Sequence, residues 1–499
     1  MRIHQILVAI AICAGLCAPV LKGQNQGLQK PAGAPASDAD VEKLMQDLVA
    51  DDWQKSQPAE KKIGELDAAT KAKLIPRLID MLADSDHNYA PGQALVAIGT
   101  PALPALLKAA QNDTGPQQQM AVGALGDLKT TARSAIPVLL SLAKTADKDL
   151  RGWVVEALGK IGPAAPEAPT VAPTLTVLMA ALNDNVNGCE SALAYYGASA
   201  VPGLRKVLQT STDSPLRIRA IDALAGMGAP AAPATPELIP AVKDPATRTK
   251  ALWALKQIGP GAKQAAPVLK KVVLKDPDYW APSTSQRDGD LLRKYALEAL
   301  AQMGVEPEFL IQAMKDGAPE ASGALSKMGA AIVPAMRAML TDPNPEYRRD
   351  ALSVLGGVGA AAAPAVPDII QAMAQKETRP TAMRVLGEIG PAAVQAVPVL
   401  NYALLNEDDR GNATLALGEI GPGAKDAVPY LIDILEGKPQ FTAQPPPPGS
   451  QYIYGERLGE IGRIGMNVID ESFARDALEK IGTPEALAAV KKYDAEQKK

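Results

Sequence analysis

Residues 379–390 read Arg379-Pro-Thr-Ala-Met-Arg-Val-Leu386-Gly-Glu-Ile-Gly390. A near copy begins 31 residues later and reads Arg410-Gly-Asn-Ala-Thr-Leu-Ala-Leu417-Gly-Glu-Ile-Gly421. The same unit recurs along most of the chain, and many steps between copies are 30 or 31 residues long. We take the closing residue of each copy as its anchor. The anchors are Gly64, Gly99, Lys129 (in place of Gly), Gly162, Gly197, Gly228, Gly259, Gly304, Gly329, Gly359, Gly390, Gly421 and Gly482, with Gly462 a further candidate. Such a period indicates stacked supersecondary units rather than one globular core.

The residues before each anchor predict an amphipathic helix. Twelve of the thirteen units have Leu four residues before the anchor, and only Glu60 departs. The position five residues before the anchor holds Ala or Val. Ala is the commonest residue eight residues before the anchor, and the residue directly before it is usually apolar. These offsets share one helical face, so we expect a buried ridge of Leu beside small residues that let a neighbouring helix approach closely.

The residues after each anchor predict a second helix. A closing Gly suits the left-handed conformation that follows a helix end. Pro then comes five or eight residues later, as in Pro334 and Pro398. Because Pro is tolerated in the first turn of a helix and breaks its interior, a helix starts there. Each unit is therefore predicted to be a hairpin, in which a Pro-started first helix precedes the Leu/Ala second helix. The fold class is all-α, an α-solenoid.

The pattern resembles the HEAT-repeat family, in particular the short bacterial HEAT-like repeats named after phycobilisome lyases. The resemblance lies in the Pro-started first helix, the Arg-x2-Ala-x2-Ala-Leu-x2-Ile/Met-Gly second helix and the acidic turn between them, over residues 41–499. It implies an α-solenoid used for binding, a right-handed superhelix of about 13–14 hairpins. It implies no particular activity.

An Arg recurs eleven residues before seven anchors. These residues are Arg151, Arg217, Arg248, Arg293, Arg348, Arg379 and Arg410. One interpretation is a cationic stripe that holds acidic polymers or peptides. The favoured one is structural, because this position lies on the stripe of the buried Ala. We expect the guanidinium to bond turn carbonyls or acidic residues of the preceding turn, such as Asp147, Asp213 and Asp244. The resemblance also implies an Asp/Arg ladder between units.

The N-terminus is typical of a secretory signal peptide, predicted over residues 1–23. Arg2 precedes an apolar run of 16 residues, Ile6 to Leu21, which is shorter than the roughly 20 residues of a membrane span. Residues 24–40 are predicted to be a flexible leader. We therefore expect a periplasmic or extracellular protein without a membrane span after cleavage. The alternatives are an uncleaved anchor, or a lipoprotein attached through Cys17.

Composition argues against several classes of function. Removing Arg2 and Lys22 leaves 49 basic against 55 acidic residues, a net charge of −6, which disfavours generic nucleic-acid binding. His87 is the only histidine of the mature chain, and we expect it on the surface. Cys189 is its only cysteine, and we expect it in the core. We predict no catalytic residues, no metal site and no cofactor.

Two insertions break the period, near residues 276–289 and 437–451. Both fall between the two helices of a unit, so both are expected at the same rim of the solenoid. They bring aromatic side chains that could bind a partner. These are Tyr279, Trp280, Phe441, Tyr452 and Tyr454. The alternative is that the rings fold back to cover a local gap.

Together these features predict an exported, non-enzymatic scaffold that binds a protein or polymer through the solenoid surface and its rim loops. The enzymatic alternative is a phycobilisome-lyase-like protein that handles a pigment. A purely structural spacer of the cell envelope is the third possibility.

Overall fold

The computed structural model describes residues 37–50, 52–163, 165, 168–280, 285–437 and 468–497. These residues are mostly helical, and none of them forms a strand. The chain divides into two compact units, Met1–Ala124 and Leu125–Lys499. The predicted signal peptide and most of the leader lie outside the described residues.

The first unit is a run of short helices. They are α1 Asp38–Leu48, α2 Trp53–Glu65, α3 Ala68–Met81, α4 Tyr89–Ile98, α5 Leu103–Asn112 and, crossing into the second unit, α6 Gly115–Asp127. The α1 helix starts earlier than the predicted solenoid boundary at residue 41, because the Ser37 hydroxyl accepts a hydrogen bond from the Asp40 N–H and caps the helix. The end of the predicted leader is therefore helical.

Gly64 does not close a helix as the repeat predicted. It lies inside α2, where an added Cβ would come within 2.8 Å of the Ala97 carbonyl oxygen. Its role is close packing of α2 against α4. Ile63, beside it, is fully buried. Glu60 therefore did not fit the Leu column because Gly64 is not the closing residue of this unit.

The second unit repeats a helical hairpin. Its first helices are α7 Ile136–Thr145, α9 Val171–Asn183, α11 Val201–Thr210, α13 Thr235–Lys243, α15 Ala266–Val273, α17 Pro307–Lys315, α19 Val333–Met339, α21 Val366–Ala372, α23 Val397–Ala403 and α25 Val428–Leu435. Its second helices are α8 Lys148–Ile161, α10 Cys189–Tyr195, α12 Ser214–Met227, α14 Arg248–Ile258, α16 Gln286–Gln302, α18 Glu320–Ser326, α20 Pro345–Val358, α22 Arg379–Ile389, α24 Glu407–Ile420 and α26 Val468–Ile481. The last described helix is α27 Pro484–Glu496.

Stacking of the hairpins buries the predicted ridge. Each second helix packs against the second helices before and after it and against the first helix of its own hairpin. All twelve Leu residues of the repeat column are fully buried, which confirms the α-solenoid core. Neighbouring second helices approach closely, since a Cβ on Gly159 would lie 2.7 Å from the Ala192 Cα. The small residues thus set the spacing between the helices.

The closing residues adopt the predicted left-handed conformation. Eleven closing glycines have φ between +52° and +81°, and Lys129, which replaces Gly in its unit, has φ +52°. A 3-10 segment follows many of them, which the repeat pattern did not predict. These segments are Thr100–Ala102, Lys129–Ala135, Gly197–Ser199, Ala229–Ala234, Gly259–Ala265, Gly329–Ile332, Gly359–Ala365, Gly390–Ala396 and Gly421–Ala427. Pro then stands in the first turn of the next helix, as in α23 and α25.

The first insertion is shorter than predicted. The Ser285 hydroxyl accepts from the Asp288 N–H and caps α16, so residues 286–289 are helical. The second insertion lies, after Gly437, outside the described residues.

One described stretch, Pro345–Ala372, is long and apolar enough to cross a membrane by length and composition. It comprises α20, a 3-10 segment and α21, and Gly359 between them has φ +65°. A second candidate joins Tyr89–Ile98 to Thr100–Asn112 and is bent by 115°.

Candidate partner-binding surface

The two described aromatics of the first insertion fold back onto their hairpin. Tyr279 is 2% exposed, and the Lys243 ammonium lies 5.6 Å from the centre of its ring. Trp280 is half-buried, and its indole N–H donates to the Val272 carbonyl at 2.8 Å. Its ring covers Gly289, where a Cβ would overlap it. The expectation of an exposed recognition element is therefore wrong for Tyr279, and the fold-back alternative describes both rings.

The other three predicted contact residues, Phe441, Tyr452 and Tyr454, lie outside the described residues. Their role stays a prediction.

The Arg column forms a ladder between hairpins. Its cross-hairpin pairs are Arg151–Asp184 at 2.8 Å, Arg217–Asp244 at 2.5 Å, Arg293–Glu320 at 3.3 Å, Arg379–Asp409 at 3.3 Å and Arg410–Asp470 at 3.2 Å. In each pair the acid belongs to the following hairpin, so the predicted pairing of each Arg with an acid of the turn before it is wrong for the ladder, and Asp244 pairs with Arg217 of the hairpin before it. The other two predicted acids are engaged elsewhere, because the Asp147 and Asp213 carboxylates accept backbone N–H bonds that cap α8 and α12.

The predicted bonds to turn carbonyls are confirmed for four of the seven arginines of the column. Arg248 donates to the carbonyls of Val242 and Lys243 at 2.9 and 2.8 Å. Arg348 donates to Asp342 and Pro343, while Arg379 and Arg410 do the same in their own turns. Burial lowers the pKa of Arg248, and the Asp244 carboxylate opposes that shift. These contacts make the column an internal brace of the hairpins.

A solvent-facing stripe runs along the second helices. We define the second-helix stripe as the positions 13, 9, 6 and 2 residues before each anchor, which share one helical face. It carries large apolar side chains in the open. Trp153 is 37% exposed and Tyr195 is 65% exposed, and Leu291 and Leu415 are also exposed. The buried columns of the repeat do not predict this surface; the sequence signal for it is the set of offsets that lie between those columns.

A cluster lies where α14, α16 and α18 are side by side, with four members at stripe positions and Lys256 next to the stripe, three residues before Gly259. We call Trp253, Lys256, Tyr295, Glu298 and Lys327 the aromatic–lysine patch. The rings of Trp253 and Tyr295 have centres 5.5 Å apart and are tilted by 59°. The Lys256 ammonium lies 4.6 Å from the first ring centre and 5.7 Å from the second. Cation–π attraction therefore holds both rings and the lysine together.

A buried carboxylate ties the patch across three hairpins. Glu298 on α16 pairs with Lys256 on α14 at 2.5 Å and with Lys327, at the end of α18, also at 2.5 Å. Burial raises the pKa of Glu298, but hydrogen bonds and charge from the two lysines outweigh it, and the net shift is downward. Two cations share one anion, so the cluster keeps a positive charge, and Lys327 is half-exposed.

Metal-binding and nucleophilic residues form no comparable cluster. In the part of the chain that the structure describes, no three His, Cys, Asp or Glu side chains converge to hold a metal ion. Cys189 is fully buried, as predicted, and burial raises the pKa of its thiol to about 12. His87 lies in an exposed turn, with its Nδ1 3.2 Å from the Asp84 carboxylate.

Solved structures similar to this chain include Kap121p bound to Pho4p and yeast importin-beta (Kap95p). Kap121p is 14% identical, over 92% of this chain and 54% of that one, with a TM-score of 0.46. Importin-beta is 13% identical, over 89% and 68%, with a TM-score of 0.45. The chain spans about half the length of Kap121p. Likeness at these scores carries nothing about function. No curated protein matches the sequence.

A family model described as HEAT repeats matches residues 116–194 and 201–287. The phycobilisome-lyase type of the repeat stays a prediction. The matched segments coincide with stacked hairpins whose Leu column is buried throughout. Residues 116–194 and 201–287 are therefore HEAT repeats, and the α-solenoid of the described residues agrees with this family.

Proposed function

We propose that this protein is a non-enzymatic scaffold that binds a partner protein through the second-helix stripe. One observation carries the proposal: Trp153 and Tyr195 are exposed on adjacent second helices, where the core does not need them. Aromatic side chains are enriched at the centres of protein interfaces and dominate their energetics. A row of second helices can present such side chains to an extended partner, because every repeat adds to the same face.

The N-terminal sequence supports export of this scaffold to the periplasm or the cell exterior. Sequencing the N-terminus of the mature protein from fractionated cells tests this. A new N-terminus close to Ala18 or Gly23 is the expected result. Retention of Met1 in a cytoplasmic fraction would refute export without touching the binding proposal.

Photo-crosslinking in intact cells tests the binding surface. A crosslinking amino acid replaces Tyr195 on the stripe, and in a matched control it replaces Leu274, which is 64% exposed but follows a first helix. We expect a discrete protein adduct from position 195 and none from position 274. Adducts of equal yield at both positions, or none at 195, would refute the stripe as the binding surface.

The remaining alternatives have their own signatures. A pigment-handling protein would purify with visible absorbance. A structural spacer would give no protein adduct at any stripe position.

A further inference from the structure

We propose that the aromatic–lysine patch docks an acidic, extended polypeptide segment of a partner. This rests on the proposed scaffold function and identifies the chemistry of what one part of the stripe recognises. The carboxylates of the segment pair with lysines around the patch, and its apolar side chains cover Trp253 and Tyr295.

The charge around the patch favours an acidic partner. Residues 243–275 contain eight Lys or Arg and one acidic residue, but five of the lysines pair with acids outside this stretch. The excess charge at the patch is that of Lys256 and Lys327 over Glu298. The basic residues are Lys243, Arg248, Lys250, Lys256, Lys263, Lys270, Lys271 and Lys275, and the acid is Asp244. Lys250, at a stripe position, is paired with Asp222 at 2.9 Å, and Lys256 and Lys327 share Glu298. The patch thus keeps an unbalanced cation at solvent.

Lys294 adds a second cation. It is exposed one residue before Tyr295 on α16, and no carboxylate lies within ion-pair distance of its ammonium among the described residues. Leu291, three residues earlier, is also exposed. Lysine heads therefore alternate with apolar surface across α16, which suits a segment that alternates acidic and apolar residues.

The rings are held in place before any partner arrives. Both are half-buried and packed against each other at a tilt of 59°, and Lys256, which lies over both rings, has its ammonium paired with Glu298. Fixed side chains lose little entropy on binding, which is the condition for a contact to contribute affinity.

The neighbouring helix leaves room for a bound chain. Gly323 lies four residues before Lys327 on the same face of α18, and a Cβ added there would meet no atom within 4 Å. Gly323 therefore leaves open space on α18, the helix that packs against α16, which carries Tyr295. An extended backbone can lie in that space with its carboxylates next to Lys327.

Two substitutions block this patch without removing any of its contacts. Gly323→Glu fills the open space with a negative charge, and Gly323→Ala is its uncharged control. Glu and Ala are both better helix formers than Gly, so neither is expected to lower the melting temperature. Lys294→Glu reverses the second cation. Its matched control is Lys263→Glu, which makes the same charge change at an exposed lysine in a 3-10 segment off the stripe.

Fluorescence anisotropy on the purified chain measures binding of a labelled peptide that alternates Glu with Leu and Pro. The comparison probes are the same peptide with Gln for Glu, and a single-stranded oligonucleotide of equal length. We expect the acidic peptide to bind at least about tenfold more tightly than the Gln peptide, since two or more charge pairs of up to about 1 kcal/mol each reach the roughly 1.4 kcal/mol of that factor. Gly323→Glu and Lys294→Glu should each weaken it by about three- to tenfold, and the two controls by less than about twofold.

Failure of the acidic peptide to bind, equal binding of the Gln peptide, or equal loss with Lys263→Glu would each overturn the proposal. Tighter binding of the oligonucleotide, lost in Gly323→Glu, would show that the patch serves nucleic acid instead. The scaffold function is judged separately, by the crosslink at position 195. If the adduct at position 195 persists at wild-type yield in Gly323→Glu, the scaffold function is retained and the proposal that the patch takes part in it is refuted.

Discussion

Replacing Arg410 by Met should destabilise the chain far more than replacing Arg151, although both occupy the same repeat position. The Arg410 side chain is 1% exposed, and its partner Asp470 is 11% exposed. Arg151 is 25% exposed and its partner Asp184 is 55% exposed. Removing one partner of a buried pair costs about 3–5 kcal/mol, because the other charge stays buried. An exposed pair contributes about 0–1 kcal/mol.

The loss at Arg410 has two sources. Met removes the guanidinium that faces Asp470 at 3.2 Å, and it also removes the donor that bonds the Leu404 carbonyl at 3.1 Å. A buried carbonyl left without a donor adds about 1–3 kcal/mol, part of which is already contained in the figure for the pair. We therefore expect a total near 4 kcal/mol for Arg410→Met and below about 1 kcal/mol for Arg151→Met.

Hydrogen exchange under native conditions is the appropriate assay, because stacked repeats unfold by neighbourhood rather than all at once. Amides of α24 and α26 should lose protection in Arg410→Met, while those of α8 and α10 stay unchanged in Arg151→Met. The double variant Arg410→Met/Asp470→Leu should recover most of the loss, since an apolar pair often replaces a buried ion pair without cost. Equal losses in the two single variants would refute the reasoning from burial.

Three further predictions concern the fold. Lys129→Gly should stabilise the chain by about 0.5–1 kcal/mol, because a left-handed φ strains a non-Gly residue. Gly259→Ala, at an open position with φ +64°, should destabilise the chain by a similar amount. Urea unfolding measures both changes. Leu386→Ala should cost about 2–5 kcal/mol and should deprotect α20, α22 and α24 first in hydrogen exchange. A single global transition with uniform deprotection would contradict this. Glu298 has a lowered pKa, so its contribution is complete above the unfolded value of 4.5 and is lost as the pH falls through the folded value below it. The stability gap between the wild type and Glu298→Gln should therefore be constant near neutral pH and shrink below pH 4.5, and a gap that widens on acidification would contradict the sign.

The sequence by itself determined the hairpin, its buried Leu column and its closing Gly. These features depend on contacts within one helix turn and its nearest neighbour, and the same residues recur in most of the repeats. The helical period alone predicts that Leu386, four residues before Gly390, lies on the buried face of its helix. Errors arose where a unit departed from the consensus, as at Gly64, which serves helix packing rather than helix termination.

Tertiary structure decided which residues meet across hairpins. The ladder acids stand at different offsets in the following hairpin, so Arg151 and Arg410 find Asp184 and Asp470 through geometry that no local pattern contains. The aromatic–lysine patch gathers residues from 253 to 327 because three second helices pack side by side, with small residues setting their spacing. Tertiary packing also decided that Tyr279 is buried, because its apolar ring is more stable against the hairpin than in water.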